Sequence, residues 1–248
     1  MRPYPRIFPL MRILLLFVLL LPGLASAGNR DGRPRKKKDY LVTLKTDYGT
    51  MRLVLYDQTP KHKENFIKLV ERKFYDSLMF HRIIQQFMIQ GGDPASRRAR
   101  TDEPLGNGDV GYKVPAEFVP ALFHKKGALA AARDNNPEKA SSGCQFYIVQ
   151  GRVWTDDELQ KQIERATARG GRVPNDAQKQ VYKTLGGTPH LDGNYTVFGE
   201  VIDGLAVVDS IARQPRNDTD RPRQDIRMMM DGQWVKKKKI TKQYNYHY

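Results

Sequence analysis

The sequence predicts a mainly β fold, a closed antiparallel barrel or sandwich, and three observations carry that expectation. Short runs of alternating or β-branched apolar residues recur along 39–235. Gly, Pro and Asn turns separate them. The single cysteine, Cys144, excludes an internal disulfide framework and a Cys-rich zinc module, so burial must hold the fold. Apolar material suffices for one core, at 40% of 248 residues, whereas 28% charged residues are too many for a polytopic membrane protein.

The first 27 residues read as a leader. Arg2, Arg6 and Arg12 precede an apolar run from Ile13 to Leu21, followed by Pro22, Gly23 and the small-x-small triplet Ala25-Ser26-Ala27. That order is the pattern of a signal peptide cleaved after Ala27. Met11 is an alternative start, and a retained single-pass anchor is the alternative fate. The run is too short to span a bilayer, so the mature chain is expected to have no transmembrane segment. An exported location, periplasmic or secreted, follows.

The formal charge of +15 raises the question of nucleic acid, and its distribution answers it. Removing +3 in the leader, +5 in residues 28–38 and +5 in residues 236–248 leaves +2 on residues 39–235. The basicity therefore belongs to two ends, read as a flexible linker and a flexible tail. Such ends raise nonspecific affinity for anionic surfaces but build no groove for reading bases, so no specific nucleic-acid partner is expected.

Between the ends, Leu41 to Thr46 and Met51 to Tyr56 flank an Asp47-Tyr48-Gly49 corner, a hairpin signature. Thr59 offers an N-cap with Pro60 at the first helical position, and Phe66, Leu69 and Val70 share one face of the helix that follows. Further strands are expected at 78–84, 87–91, 127–132, 145–150, 196–202 and 226–235, with a second short helix at 205–211 able to plug a barrel end. Residues 152–187 interrupt the pattern. Thr155-Asp156-Asp157-Glu158 is a capping box, with Leu159, Ile163 and Ala166 at helical spacing. Asn175 or Asp176 caps a second helix with Ala177, Val181 and Leu185 along one face. The two form a helical hairpin whose thin apolar stripes suggest an appendage.

The chemistry concentrates in Phe80-His81-Arg82-Ile83-Ile84-Gln85-Gln86-Phe87-Met88-Ile89-Gln90-Gly91-Gly92-Asp93. Alternation over two consecutive strands allows Arg82, Met88 and Gln90 to project from one surface with Phe87 at its edge. This segment resembles the signature of the cyclophilin family of peptidyl-prolyl cis-trans isomerases. Gly143-Cys144-Gln145-Phe146-Tyr147-Ile148 and Leu191-Asp192-Gly193-Asn194-Tyr195-Thr196-Val197-Phe198-Gly199 resemble two further motifs of that family in the same order. The resemblance covers about residues 40–235 less the hairpin, and the pattern is similar to bacterial, exported members.

The resemblance implies a closed eight-stranded antiparallel barrel with two capping helices, here carrying the inserted hairpin, and a peptide groove on its outside. It makes 39–235 the isomerase domain. Arg82 matches the catalytic arginine, and Phe87, Met88, Gln90, Ala132, Gln145, Tyr147, Leu191 and Tyr195 match groove positions. Partners would be proline-containing peptides and unfolded exported proteins. No cofactor and no metal are implied, and the five histidines show no metal-ligand spacing. Cys144 reads as a small buried thiol.

Several positions depart from the family pattern. Gln85-Gln86 replaces a common Pro-Gly, Arg133 stands where asparagine is frequent, and the loop from Asp134 to Ser142 is longer. His190 occupies the place of a tryptophan that helps to bind cyclosporin, and Tyr195 that of a groove histidine, so weak cyclosporin binding is expected. The rival function is a non-catalytic module or chaperone that holds proline segments in the same groove. Arg82 favours the enzyme, since a holding surface gains little from one precisely placed guanidinium.

Overall fold

The computed structural model describes residues 37–101 and 103–248. The expected leader, its cleavage site and most of the basic linker at 28–38 lie outside them. Ten strands and five α-helices follow in order: β1 (Lys38–Thr46), β2 (Gly49–Leu55), α1 (Pro60–Glu71), β3 (Phe80–Ile84), β4 (Met88–Gly91), β5 (Lys113–Val114), β6 (Ala128–Ala131), β7 (Ser141–Ser142), β8 (Phe146–Val149), α2 (Asp156–Thr167), α3 (Asp176–Thr184), β9 (Val197–Asp203), α4 (Leu205–Ala212), β10 (Met229–Lys236) and α5 (Lys237–Tyr244). None of the described helices is long and apolar enough to cross a membrane.

Eight strands form one antiparallel sheet in the order β10-β1-β2-β9-β6-β8-β4-β3, while β5 and β7 pair separately. The expected closure is corrected here. β3 and β10 do not pair as strands, so the sheet is an open half-barrel. Residues 226–228 run irregularly along the seam, with one isolated bridge at Met79 and Arg227 and backbone bonds from Phe80 to Ile226 and from Met228 to Leu78. An extended seam would need a regular register, which the turns around Pro222 and Asp225 do not supply.

The pleat divides the sheet into two apolar faces. Leu129, Ala131, Phe146, Ile148, Ile83 and Ile89 point inward to the main core, which α1 covers through Phe66, Leu69 and Val70 and α4 through Val208 and Ile211. Ala128, Ala130, Tyr147, Val149 and Met88 point outward into a second cluster with Leu191 and Val197. That is why β6 and β8 are buried at every position.

Both helices between β8 and β9 start at full capping boxes, at Thr155 and at Asn175. Leu159, Ile163 and Ala166 are the buried face of α2, as expected. On α3 the buried residues are Gln178 and Tyr182, whereas Ala177 and Leu185 face water. The expected stripe is wrong by one position, because a large half-polar ring outweighs three small or edge aliphatics. The pair is no loose appendage: Tyr182 is fully buried against Leu159, Ile163, Phe123 and Trp154.

The tail is also corrected. Residues 237–244 are helical, and Ile240, 0% exposed, packs on Leu41 and Val54 with Tyr244 and Tyr246 beside it. Truncating a fully buried aliphatic side chain costs about 2–5 kcal/mol. Ile240→Ala is expected to lower stability by that amount in urea unfolding; a loss of a few tenths would mean that α5 is not part of the cooperative unit.

Candidate functional site

The site begins at the β3–β4 hairpin. Gln86 occupies the left-handed region at φ 62°, the conformation that a glycine would adopt there most readily, and its N–H donates to Gln150 Oε1 at 2.5 Å. The register then sets Arg82 opposite Gln90 and Ile84 opposite Met88, so these four residues share the outer face. Because Ile83 and Ile89 take the inner face, the Arg82 guanidinium cannot turn into the core.

Arg82 lines a cleft of about 160 Å³ together with Phe87, Met88, Gln90, Ala132, Arg133, Tyr147, Leu191 and Tyr195. Eight of the nine residues expected at the site therefore come together at one opening. The ninth, Gln145, is 7% exposed and lines an adjoining cleft that shares Gln90, Ala132 and Arg133 with the first. Its Nε2 donates to the carbonyls of Gly106 and Gly108, both at 2.9 Å, which leaves Oε1 to accept from Gln90 Nε2 at 3.1 Å. Gln90 in turn offers Oε1 to Arg82 Nη1 at 3.4 Å. Each amide orients the next, so two backbone carbonyls fix the face of Gln90 that meets the cation. From the other side Asp220 lies 3.4 Å from Arg82 Nε and is itself paired with Arg216 at 2.9 Å. The guanidinium is aimed, half-exposed, across an apolar floor.

The floor has its own support. Tyr147 Oη is 2.9 Å from His124 Nε2; His124 Nδ1 is 2.8 Å from Asp192 Oδ1, which also accepts the His124 N–H at 2.9 Å. Tyr182 of α3 donates its hydroxyl to Asp192 Oδ2 at 2.7 Å. All four side chains are buried. A hydrogen-bonded chain thus runs from α3 to the ring at the base of the cleft. Sequence inspection missed His124, because its acid lies 68 positions further on and only the fold joins them.

Arg133, a departure from the family pattern, stacks 4.7 Å over the Tyr195 ring and donates to the Asn194 and Asp134 carbonyls, forming a second cationic wall. His190 stacks on Phe87 with ring centroids 5.5 Å apart. Burial, helped by His124 and Arg169 and opposed by Asp192, pushes His190 down to about 4. Burial also holds His81 well below its ordinary value, with Arg82 and Arg221 adding to the effect and Asp93 opposing it. A base depressed in the folded state is neutral there, while the unfolded chain binds the proton below about pH 6.5, so stability is full above pH 6.5 and falls towards pH 4. Each such histidine contributes a slope of up to about 1.4 kcal/mol per pH unit in that window. Replacing His190 by Phe is expected to flatten the fall in thermal melting between pH 6.5 and 4; an unchanged pH profile would exclude His190 as a source.

Two other reactive-looking groups are sealed. Cys144 is 3% exposed and burial pushes its thiol up to about 11, which keeps it protonated and unreactive. His62 stands 2.7 Å from Glu117 and 2.9 Å from Ser141 Oγ, the spacing of a serine nucleophile with its base and acid. Ser141 is only 1% exposed, so no acyl group reaches it, and the trio pins α1 to β7. Among the described residues, no group of three His, Cys, Asp or Glu side chains is arranged to hold a metal ion.

Comparison with known proteins agrees with this geometry. A family model described as cyclophilin type peptidyl-prolyl cis-trans isomerase/CLD matches residues 41–231. A Streptococcus pyogenes protein named as a bifunctional phosphatase/peptidyl-prolyl cis-trans isomerase is 39% identical over 189 residues, covering 75% of this chain and 37% of that one. The chain therefore spans little more than a third of that relative. A Staphylococcus haemolyticus protein named as a peptidyl-prolyl cis-trans isomerase is 34% identical over 187 residues, covering 75% of this chain and 86% of the relative. The crystal structure of a Cryptosporidium parvum cyclophilin type peptidyl-prolyl cis-trans isomerase superposes with a TM-score of 0.56 at 23% identity, covering 78% of this chain and 98% of that one. The structure of that protein in the presence of the dipeptide Ala-Pro gives 0.55 at 24% identity, covering 77% and 98%. At such identities the likeness shows the fold alone.

Proposed function

The chain belongs to the cyclophilin-type peptidyl-prolyl cis-trans isomerase family and is a peptidyl-prolyl isomerase, and from that premise we propose that Arg82 is its catalytic donor and that its substrates are X-Pro bonds in exported proteins as they fold. Rotation about such a bond is slow because resonance gives it double-bond character, with a barrier of about 18–20 kcal/mol. No bond has to break. When the amide twists, the prolyl nitrogen becomes pyramidal and regains a lone pair, which a fixed N–H donor binds and the planar ground state does not offer. Arg82 supplies that donor, and Phe87, Met88, Tyr147 and Leu191 grip the pyrrolidine ring. Removing the amide from water also disfavours its charge-separated planar form. Gln90 and Gln145 then act by orienting Arg82. The observation that carries this reading is the guanidinium held between Gln90 and Asp220 at the rim of an apolar cleft.

A protease-coupled assay on a proline tetrapeptide tests it. Turnover in proportion to enzyme is expected, while retention of the peptide without acceleration would favour the holding module. Export rests on the leader sequence and is tested by N-terminal sequencing of extracellular or periplasmic protein, which should begin at Gly28; an intact leader on a cytoplasmic product would refute it. The helices of 152–187 stand in this proposal as an insertion into the family fold. Cyclosporin should bind weakly, since His190 offers a smaller ring and Tyr195 a different polar edge. A dissociation constant below about 1 μM in titration would contradict this.

A further inference from the structure

Two basic stretches that are separate in sequence meet in the fold. Lys38 on β1 lies directly opposite Lys236 on β10, and the backbone N–H of Lys237 donates to the carbonyl of Lys37 at 2.9 Å. α5 continues from there, with Ile240 and Tyr244 turned to the sheet. Helical spacing then puts Lys238, Lys239 and Lys242 on the opposite side, and all three are exposed, as are Lys37, Lys38 and Lys236. None of these six forms an ion pair with an acid among the described residues; only Lys237 does, with Asp57 at 3.5 Å.

Like charges directly opposite across strands are destabilising, and a merely solubilising tail gains nothing from being packed down. This one is packed with care. Ile240 is fully buried, Tyr244 and Tyr246 pack beside it, and Lys237 lies 4.3 Å over the Tyr248 ring. The fold therefore holds Lys38 beside Lys236, at the strand ends, close to the lysines of α5 against their mutual repulsion. Tyr248, exposed, lies beyond α5 against Lys237, while Trp234 stands against Tyr40 on the other surface of the sheet. Exposed cations along the outer side of a docked helix suit a plane of anionic headgroups, while they offer no groove to follow a nucleic-acid strand.

We propose that the α5–β1–β10 face docks the protein on an anionic phospholipid surface, independently of the isomerase cleft, which is built on β3, β4, β6 and β8. The test is co-sedimentation of the full chain with vesicles of equal parts phosphatidylcholine and phosphatidylglycerol. Pure phosphatidylcholine vesicles account for any hydrophobic insertion by the leader. Binding to the mixed vesicles, lost at about 1 M salt, is expected, and the triple variant K238E/K239E/K242E should bind more than about tenfold more weakly. These side chains are exposed, so the variant should keep its melting temperature and its tetrapeptide activity; the glutamine triple K238Q/K239Q/K242Q, which only removes charge, should lose binding less steeply. Equal binding to neutral vesicles, undiminished binding by the triple variants, or displacement from the mixed vesicles by duplex DNA at lower anion concentration would each overturn the proposal.

Discussion

Arg82→Ala is expected to reduce kcat/KM for a proline tetrapeptide by about ten- to 150-fold while leaving the fold intact. A charge-assisted hydrogen bond is worth roughly 1.5–3 kcal/mol, and each 1.36 kcal/mol of lost transition-state binding is about a factor of ten in rate. The guanidinium side chain is 42% exposed and none of its partners needs it for the core, so urea unfolding should hardly change. Arg82→Lys keeps the charge but not the planar fork that Gln90 and Asp220 hold, and should recover only part of the activity. Because the donor serves the twisted amide, the loss should fall mainly on kcat. A full rate in the alanine variant would leave the cleft as a binding surface and remove the mechanism. The apolar walls and desolvation supply the remainder of the acceleration, so residual activity above the uncatalysed rate is part of the same expectation.

Asp192→Ala is expected to cost the larger share of stability, about 3–5 kcal/mol, as removal of one member of a buried charged cluster does. Asp192 is 1% exposed and accepts from Tyr182, from the His124 N–H and from its ring, with Arg172 at 3.8 Å. Without it those donors stay buried and unsatisfied. The milder Tyr182→Phe deletes one hydroxyl from α3 and should cost about 1 kcal/mol. It should also raise KM with little change in kcat, since the Tyr147 ring loses part of its anchoring while Arg82 is untouched. Denaturant titration and steady-state kinetics on the two variants check this. A loss below about 1 kcal/mol for Asp192→Ala would show that the cluster is not load-sharing.

The half-barrel and its cleft were legible to different depths. The hairpin at 38–55, the capped starts of α2 and α3, the Pro60 start of α1, where Thr59 makes no side-chain cap bond, and the segment carrying Arg82, Met88 and Gln90 follow from near neighbours along the chain: alternation, caps and turn residues act within a few positions. Arg82, Met88 and Gln90 share one cleft because period-two alternation is enough to choose a face, whereas Ala132, Tyr147, Leu191 and Tyr195 join them at positions that the family resemblance implied. The buried stripe of α3 lies one position from the expected one, since Tyr182 is buried through Asp192 and Trp154, partners that no local period reports. The same holds for the closure of the sheet, where the irregular 226–228 seam depends on what β3 offers across it.

By itself the sequence determined where the eight strands of the main sheet and the first four helices form, which face carries the arginine, and that no internal disulfide or Cys-rich metal module is involved, because these depend on residue type and local spacing. Only the tertiary structure decided that His124 and Asp192 support the cleft floor, that the amides of Gln90 and Gln145 aim the guanidinium, and that Lys38 comes to lie opposite Lys236 beside a packed C-terminal helix. Those arrangements depend on contacts between residues tens to hundreds of positions apart, whose energies exist only once the sheet has brought them within hydrogen-bonding distance.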